Sequence, residues 1–169
     1  RCLFAPELRH QNRVHLSYPG YSEMLTGQVL PEIDSNSYGF NPLRTWLERE
    51  RDQNSRSVVF SGNWGTFHRI YNAPASHISS APVSRTCRVP RAQQFRTFPN
   101  HRHDIETYCA FAQAVRRKKP SAMHLALGMT DSWAHAGDYQ QHLMHLELAD
   151  LRTKARLTIP CRSKHAVRL

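Results

Sequence analysis

Acidic residues are scarce in this chain: thirteen Asp and Glu stand against twenty-three Lys and Arg, a formal net charge of +10 with histidine neutral. A surplus of that size is enough to attract phosphate-rich partners. Also missing is any run of about eighteen consecutive apolar residues, so no transmembrane helix is expected. The opening Arg1-Cys-Leu-Phe-Ala-Pro6 has no signal-peptide pattern. The four cysteines, Cys2, Cys87, Cys109 and Cys161, are far apart and form no C-x-x-C site. Cys109 shares an apolar helix face, which reads as a buried free thiol. No internal repeat is present.

What is present suffices for one compact domain. With 169 residues, 40% of them hydrophobic, the chain can bury a core without a second domain. Helical and strand-like segments alternate. Asn41-Pro42 opens a helix with Leu43, Trp46 and Leu47 on one face, running to about Arg51. Residues 57–60 form a short β-rich run ending at Gly62. Residues 72–103 carry Pro74, Pro82, Pro90 and Pro99 among Ser, Arg and Gln, and read as an irregular Pro/Arg-rich insertion. Asp104 then caps a helix with Ile105, Tyr108, Cys109, Ala112 and Val115 at helical spacing, up to Arg117. A further helix over residues 139–152 aligns Tyr139, Leu143 and Leu146, and residues 153–169 are a basic tail. Such alternation predicts an α/β fold, a parallel-type sheet with helices on both faces.

Two short motifs carry the chemistry. In Ser17-Tyr-Pro-Gly-Tyr-Ser-Glu-Met-Leu-Thr-Gly27, Pro19 suits a first helical turn and Gly27 the left-handed position after a helix end, predicting a helix over residues 19–26. Ser17 then lies at the N-terminus, where free N–H groups and the helix dipole favour an anion: a nucleophilic alkoxide or a bound phosphate. The alternative is that Ser17 or Tyr18 only caps the helix. The second motif begins with the mostly apolar run over residues 122–128, which reads as a buried parallel strand, and continues Met129-Thr-Asp131-Ser-Trp-Ala-His135. Ligand clefts of open α/β sheets lie beyond the carboxyl ends of strands, where Asp131 and His135 emerge. If Ser132 begins a helical turn, residues four apart share a face and both side chains reach one cation. Carboxylate oxygen with imidazole nitrogen suits zinc, manganese or iron better than calcium. The alternative is that Asp131 caps a helix and His135 faces water.

These segments resemble the alkaline phosphatase superfamily, which includes phosphodiesterases, sulfatases and cofactor-independent phosphoglycerate mutases. Ser17-x-Pro19 followed by Leu25-Thr26-Gly27 is similar to the nucleophile segment, and Asp131-Ser-Trp-Ala-His135 with Ala136-Gly137-Asp138-Tyr139 to the Asp-x-x-x-His metal pair. Further likeness runs through Asp34-Ser-Asn36, Asn41-Pro42 and residues 57–64, so it covers most of residues 14–150. The resemblance implies an alkaline-phosphatase-like core and a phosphate- or sulfate-ester small molecule as substrate. It also implies Ser17 as nucleophile and Asp131 and His135 as ligands of a divalent metal, zinc first and manganese second. Tyr18 and Asn63 are expected to line the substrate pocket, although neither matches a catalytic motif of the family.

The chain departs from that pattern in its remaining ligands. The superfamily has a metal-binding Asp upstream of the nucleophile, an Asp-His pair downstream and a further His near the carboxyl end. Here the nearest upstream acid is Glu7, no Asp-His dipeptide occurs, and His165 sits in an unmatched context. The expectation is an internal or truncated portion of such a domain, acting as a partial hydrolase. The alternatives are a non-catalytic remnant and a basic nucleic-acid-binding protein. The last rests on Arg85, Arg88, Arg91, Arg96 and Arg102 interleaved with Phe95 and Phe98. His101 and His103, and His142 and His145, lack a third ligand at zinc spacing and read as solvated or capping residues.

Overall fold

The computed structural model describes residues 11–54, 58–72 and 101–156. Most of the Pro/Arg-rich insertion and of the basic tail lies outside them, as do Arg85, Arg88, Arg91, Arg96, Phe95 and Phe98. The described chain is mixed helix and strand. In order it forms α1 (Ser17–Thr26), α2 (Trp46–Asn54), β1 (Val58–Gly62), α3 (Phe67–Ile70), α4 (Asp104–Lys118), β2 (Ala122–Ala126), α5 (Met129–His135) and α6 (Tyr139–Arg156). β1 and β2 pair in parallel, Val58 opposite Ala122 through Gly62 opposite Ala126. No helix of the described residues is long and apolar enough to cross a membrane.

α1 buries Tyr18, Pro19, Ser22, Leu25 and Thr26, the stripe a 3.6-residue period places on one side. It closes as expected: Gly27 adopts φ 73° and its N–H donates to Glu23 O. The helix begins at Ser17, two residues before the proline. α2 starts later than Asn41-Pro42 suggests. Thr45 Oγ1 accepts from the Glu48 N–H while the Glu48 carboxylate accepts from the Thr45 N–H, a reciprocal capping box that sets the true start. Asn41 instead anchors the preceding loop, its amide donating to Ser22 Oγ at 3.0 Å and its Oδ1 accepting from the Leu43 N–H.

The main core joins Tyr18, Leu25, Ile33, Leu47, Phe67, Ile70, Tyr71 and Ala126, so α1, α2 and α3 all close on the start of the cleft-bearing loops. β1 divides its side chains by the strand period of two. Phe60 lies against Tyr71 with centroids 4.6 Å apart, while Ser61 Oγ donates to Thr107 O of α4. Arg102 is also spent inside the fold, reaching Thr107 Oγ1 and Ser61 Oγ, so it is no part of a phosphate-facing basic stripe. α4 ends at Lys119 in the left-handed region, after Arg116, Arg117 and Lys118 in its last turn, where cations suit the helix dipole.

Three expectations require correction. Cys109 is half-buried and disulfide-bonded, where a free thiol was expected; the other cysteines lie outside the described residues. The N-cap of α4 is His103, whose ring accepts from the Ile105 N–H, and Asp104 is a wholly buried first-turn residue directed elsewhere. On α6 His145, read as solvated or capping, is buried at 3% exposure, while the aligned Tyr139, Leu143 and Leu146 face solvent.

Close packing makes one glycine irreplaceable. A Cβ on Gly62 would overlap the ring of Phe67, itself fully enclosed. Gly62→Ala is therefore expected to destabilise the fold by about 1–3 kcal/mol, the ordinary cost of overpacking. Urea unfolding checks this; a midpoint equal to wild type would mean that Phe67 has room to yield.

Candidate active site

Both parallel strands run out at the same end. β1 leads into Asn63 and Trp64, β2 into Leu127, Gly128 and the α5 turn, and both exits border one cleft of about 390 Å³. The N-terminus of α1 forms the facing wall. Ser17, Asn63, Asp131 and His135 all line this cleft, so residues expected on two separate motifs meet. Ser17 is half-buried at the first helical position, and Leu16 holds the N-cap place before it. That answers the capping alternative for its hydroxyl.

Tyr18 does not join them. Its side chain is completely buried in the core and its hydroxyl donates to Gly39 O at 2.8 Å, with burial pushing the phenol up to about 12. Its backbone still matters. The Tyr18 N–H donates to Asn36 Oδ1 at 2.8 Å, which pins the 34–36 loop against the α1 N-terminus and brings Asn36 to the cleft. With the carbonyl of that side chain taken, its NH₂ is the end left to meet an oxyanion.

α5 begins at Met129, earlier than expected, and places Asp131 and His135 four residues apart on one exposed face. Asp131 Oδ1 and His135 Nε2 stand 3.6 Å apart, their side chains 63% and 77% exposed. Two ligands of a tetrahedral ion at about 2.1 Å would stand ~3.4 Å apart, so the pair fits one edge of a zinc or manganese site. Among the described residues no group of three His, Cys, Asp or Glu side chains forms a metal cluster.

Asp104 explains why α5 starts where it does. Fully buried, its carboxylate accepts from the Gly128 N–H at 2.9 Å and the Met129 N–H at 3.2 Å. It thus satisfies two donors that a helix start otherwise leaves unpaired. Burial raises its pKa, partly offset by those two N–H groups and by Arg152.

His101 is the cleft residue that spacing alone misses. It pairs with Trp64 in an antiparallel bridge, and its Nδ1 lies 3.0 Å from Ser132 Oγ. The Ser132 hydroxyl proton is already given to Gly128 O, so that oxygen accepts and His101 Nδ1 donates. Its Nε2 is then the basic nitrogen of the ring. Burial lowers its pKa, Asp131 raises it and His135 lowers it, which places all three groups in one electrostatic neighbourhood. Three further histidines serve the fold: His142 Nδ1 meets Thr130 O, and His145 is buried with its ring 5.6 Å from that of His103. His101 reads from sequence as solvated or capping and Asn36 carries no site role there, because loop residues gain their direction from anchors elsewhere in the chain.

Burial of imidazoles gives the fold a defined acid sensitivity. His101, His103, His124 and His145 all have pKa values lowered by burial. For a lowered folded-state value, the unfolded chain binds more protons below about 6.5, so stability is present above that pH and lost as pH falls through the folded pKa values. Asp104, raised by burial, acts with the opposite sign as pH rises above its ordinary carboxylate value. Thermal melting between about pH 8 and about pH 5 is expected to show Tm falling on the acid side of about 6.5. A flat profile would mean that these rings reach solvent in the folded chain.

Comparison of the chain with protein-family models, with curated proteins and with solved structures finds no match in any of the three.

Proposed function

We propose that the chain is an alkaline-phosphatase-like domain that hydrolyses a phosphate or sulfate ester, with Ser17 as nucleophile and Asp131 and His135 as ligands of a divalent metal. The carrying observation is convergence. Ser17 and the Asp131–His135 pair lie more than a hundred residues apart in sequence, yet line one cleft at the carboxyl ends of two parallel strands. The two-stranded parallel sheet with helices packed on it is compatible with an α/β fold.

Each residue has a part set by its chemistry. Ser17 Oγ attacks phosphorus or sulfur in line, forming the seryl ester as the bond to the leaving oxygen breaks, and the alcohol departs with a proton. Water then breaks the seryl ester, frees the anion and restores the hydroxyl. Asn36 turns its NH₂ to the oxyanion. Asp131 and His135 would hold zinc or manganese, which would supply positive charge beside the Ser17 hydroxyl and the transferring oxygens.

The test is hydrolysis of aryl phosphate and aryl sulfate esters by the purified chain with zinc or manganese, and again after chelation, with Ser17→Ala as control. Metal-dependent turnover lost in Ser17→Ala supports the proposal. Turnover no greater than in that control rejects a competent hydrolase.

A further inference from the structure

The cleft is much larger than the group it would transform. A phosphoryl group takes the room of about two to three waters, on the order of 60–90 Å³ at ~30 Å³ per water. Most of the 390 Å³ remains for the rest of the ester. One side of that space is aromatic: Tyr21, Trp64 and Phe67 line it, with Tyr21 and Phe67 centroids 4.8 Å apart and Trp64 and Phe67 6.0 Å apart. Trp64 is held from a second side by His101, edge-to-face at 6.5 Å, and by the backbone bridge to that residue. Half-buried and braced on two sides, its indole is a fixed plane at the cleft.

Beside it lies an unsatisfied polar group. Asn63 is 4% exposed and its Nδ2 is buried without a hydrogen-bond partner. Its amide sits where a Cβ on Gly128 would be, so it is packed tightly into the cleft wall. An orphaned buried amide costs about 1–3 kcal/mol, a penalty that a ligand can relieve. Burial raises the pKa of Tyr21, helped by Asp131 and Asp104, so its phenol is neutral beside the ring space.

We propose that Trp64 and Asn63 form the recognition site for the organic part of the substrate, selecting an ester of a planar aromatic ring that bears a polar substituent. The ring stacks on Trp64 and the substituent meets the Asn63 amide while the anionic head lies between Ser17 and Asp131. This rests on the reading of the cleft as an ester-hydrolysing site.

Binding of phenylphosphonate and methylphosphonate, neither of which can be hydrolysed as an ester, separates the two ideas. With zinc present, the full chain is expected to bind the phenyl compound about tenfold more tightly, as loss or gain of one stacked ring commonly gives. Trp64→Ala removes that preference and leaves methylphosphonate affinity within about twofold, while Trp64→Phe, which keeps a ring, retains most of it. The benzenesulfonate and methanesulfonate pair reads the same contrast for a sulfate ester. Equal affinity for both members of each pair, or a ring preference that survives Trp64→Ala, overturns the proposal and leaves the hydrolase reading standing. Failure to bind any of the four anions, together with absence of turnover, overturns both.

Discussion

Ser17→Ala is expected to lower metal-dependent ester hydrolysis by roughly three orders of magnitude or more, while the fold stays intact. Loss of an attacking hydroxyl in a covalent mechanism has effects of that size or greater, about 4 kcal/mol or more in the activation barrier. The structural cost should be small. Ser17 stands in the first turn of α1, half-buried and inside the N-cap residue Leu16. Alanine is also the better helix former, so stability should change by no more than about 0.5 kcal/mol. The variant therefore separates chemistry from folding more cleanly than changes at Asp131 or His135. The measurement is initial-rate kinetics beside a melting curve. Unchanged turnover would remove Ser17 as nucleophile, and a collapsed Tm would show a structural role that its contacts do not suggest.

Much of this site was legible because its two motifs carry local physics. Pro19 and Gly27 bracket α1 by conformation alone, and the apolar run after Pro120 marks β2. The four-residue spacing of Asp131 and His135 places them on one helical face whatever else happens. Where reading failed, the deciding contact was distant or a stronger local signal stood nearby. Asn41-Pro42 resembles a helix start, but the capping box of Thr45 and Glu48 wins because it satisfies donors at both ends of the pair.

The apolar stripe of Tyr139, Leu143 and Leu146 fits a helical period perfectly well. Periodicity says which residues share a face, not whether that face meets the body, and here α6 turns His145 inward instead. Tyr18 shows the same limit from the other side. A tyrosine next to a nucleophile suggests a pocket residue, yet the helix rotates its side chain into the core and leaves only its N–H to serve the site through Asn36.

Asp104→Ala should be among the most damaging single substitutions in the described chain. A carboxylate at an apparent helix start reads as an ordinary exposed cap, worth about 1 kcal/mol. Its actual setting is a buried bridge from α4 to the turn that launches α5, holding the Gly128 and Met129 N–H groups. Alanine would leave both donors unpaired in the interior at about 1–3 kcal/mol each, besides a small void. For a domain of ordinary stability, about 5–15 kcal/mol, that is a large fraction. At about 2–4 °C per kcal/mol for chains of 150–250 residues, Tm should fall by roughly 10 °C.

Asp104→Asn keeps one acceptor oxygen and turns an NH₂ toward the other donor, so it should lose about half as much. The same ordering should appear in function, because the turn that Asp104 fixes is the one that aims Asp131 and His135 into the cleft. Zinc affinity should weaken in Asp104→Asn even at temperatures where it remains folded. Urea unfolding with zinc titration of the folded variants tests both. Stability of Asp104→Ala within about 1 kcal/mol of wild type, inside the usual range for a minor surface change, would show that water or a backbone shift replaces the bridge.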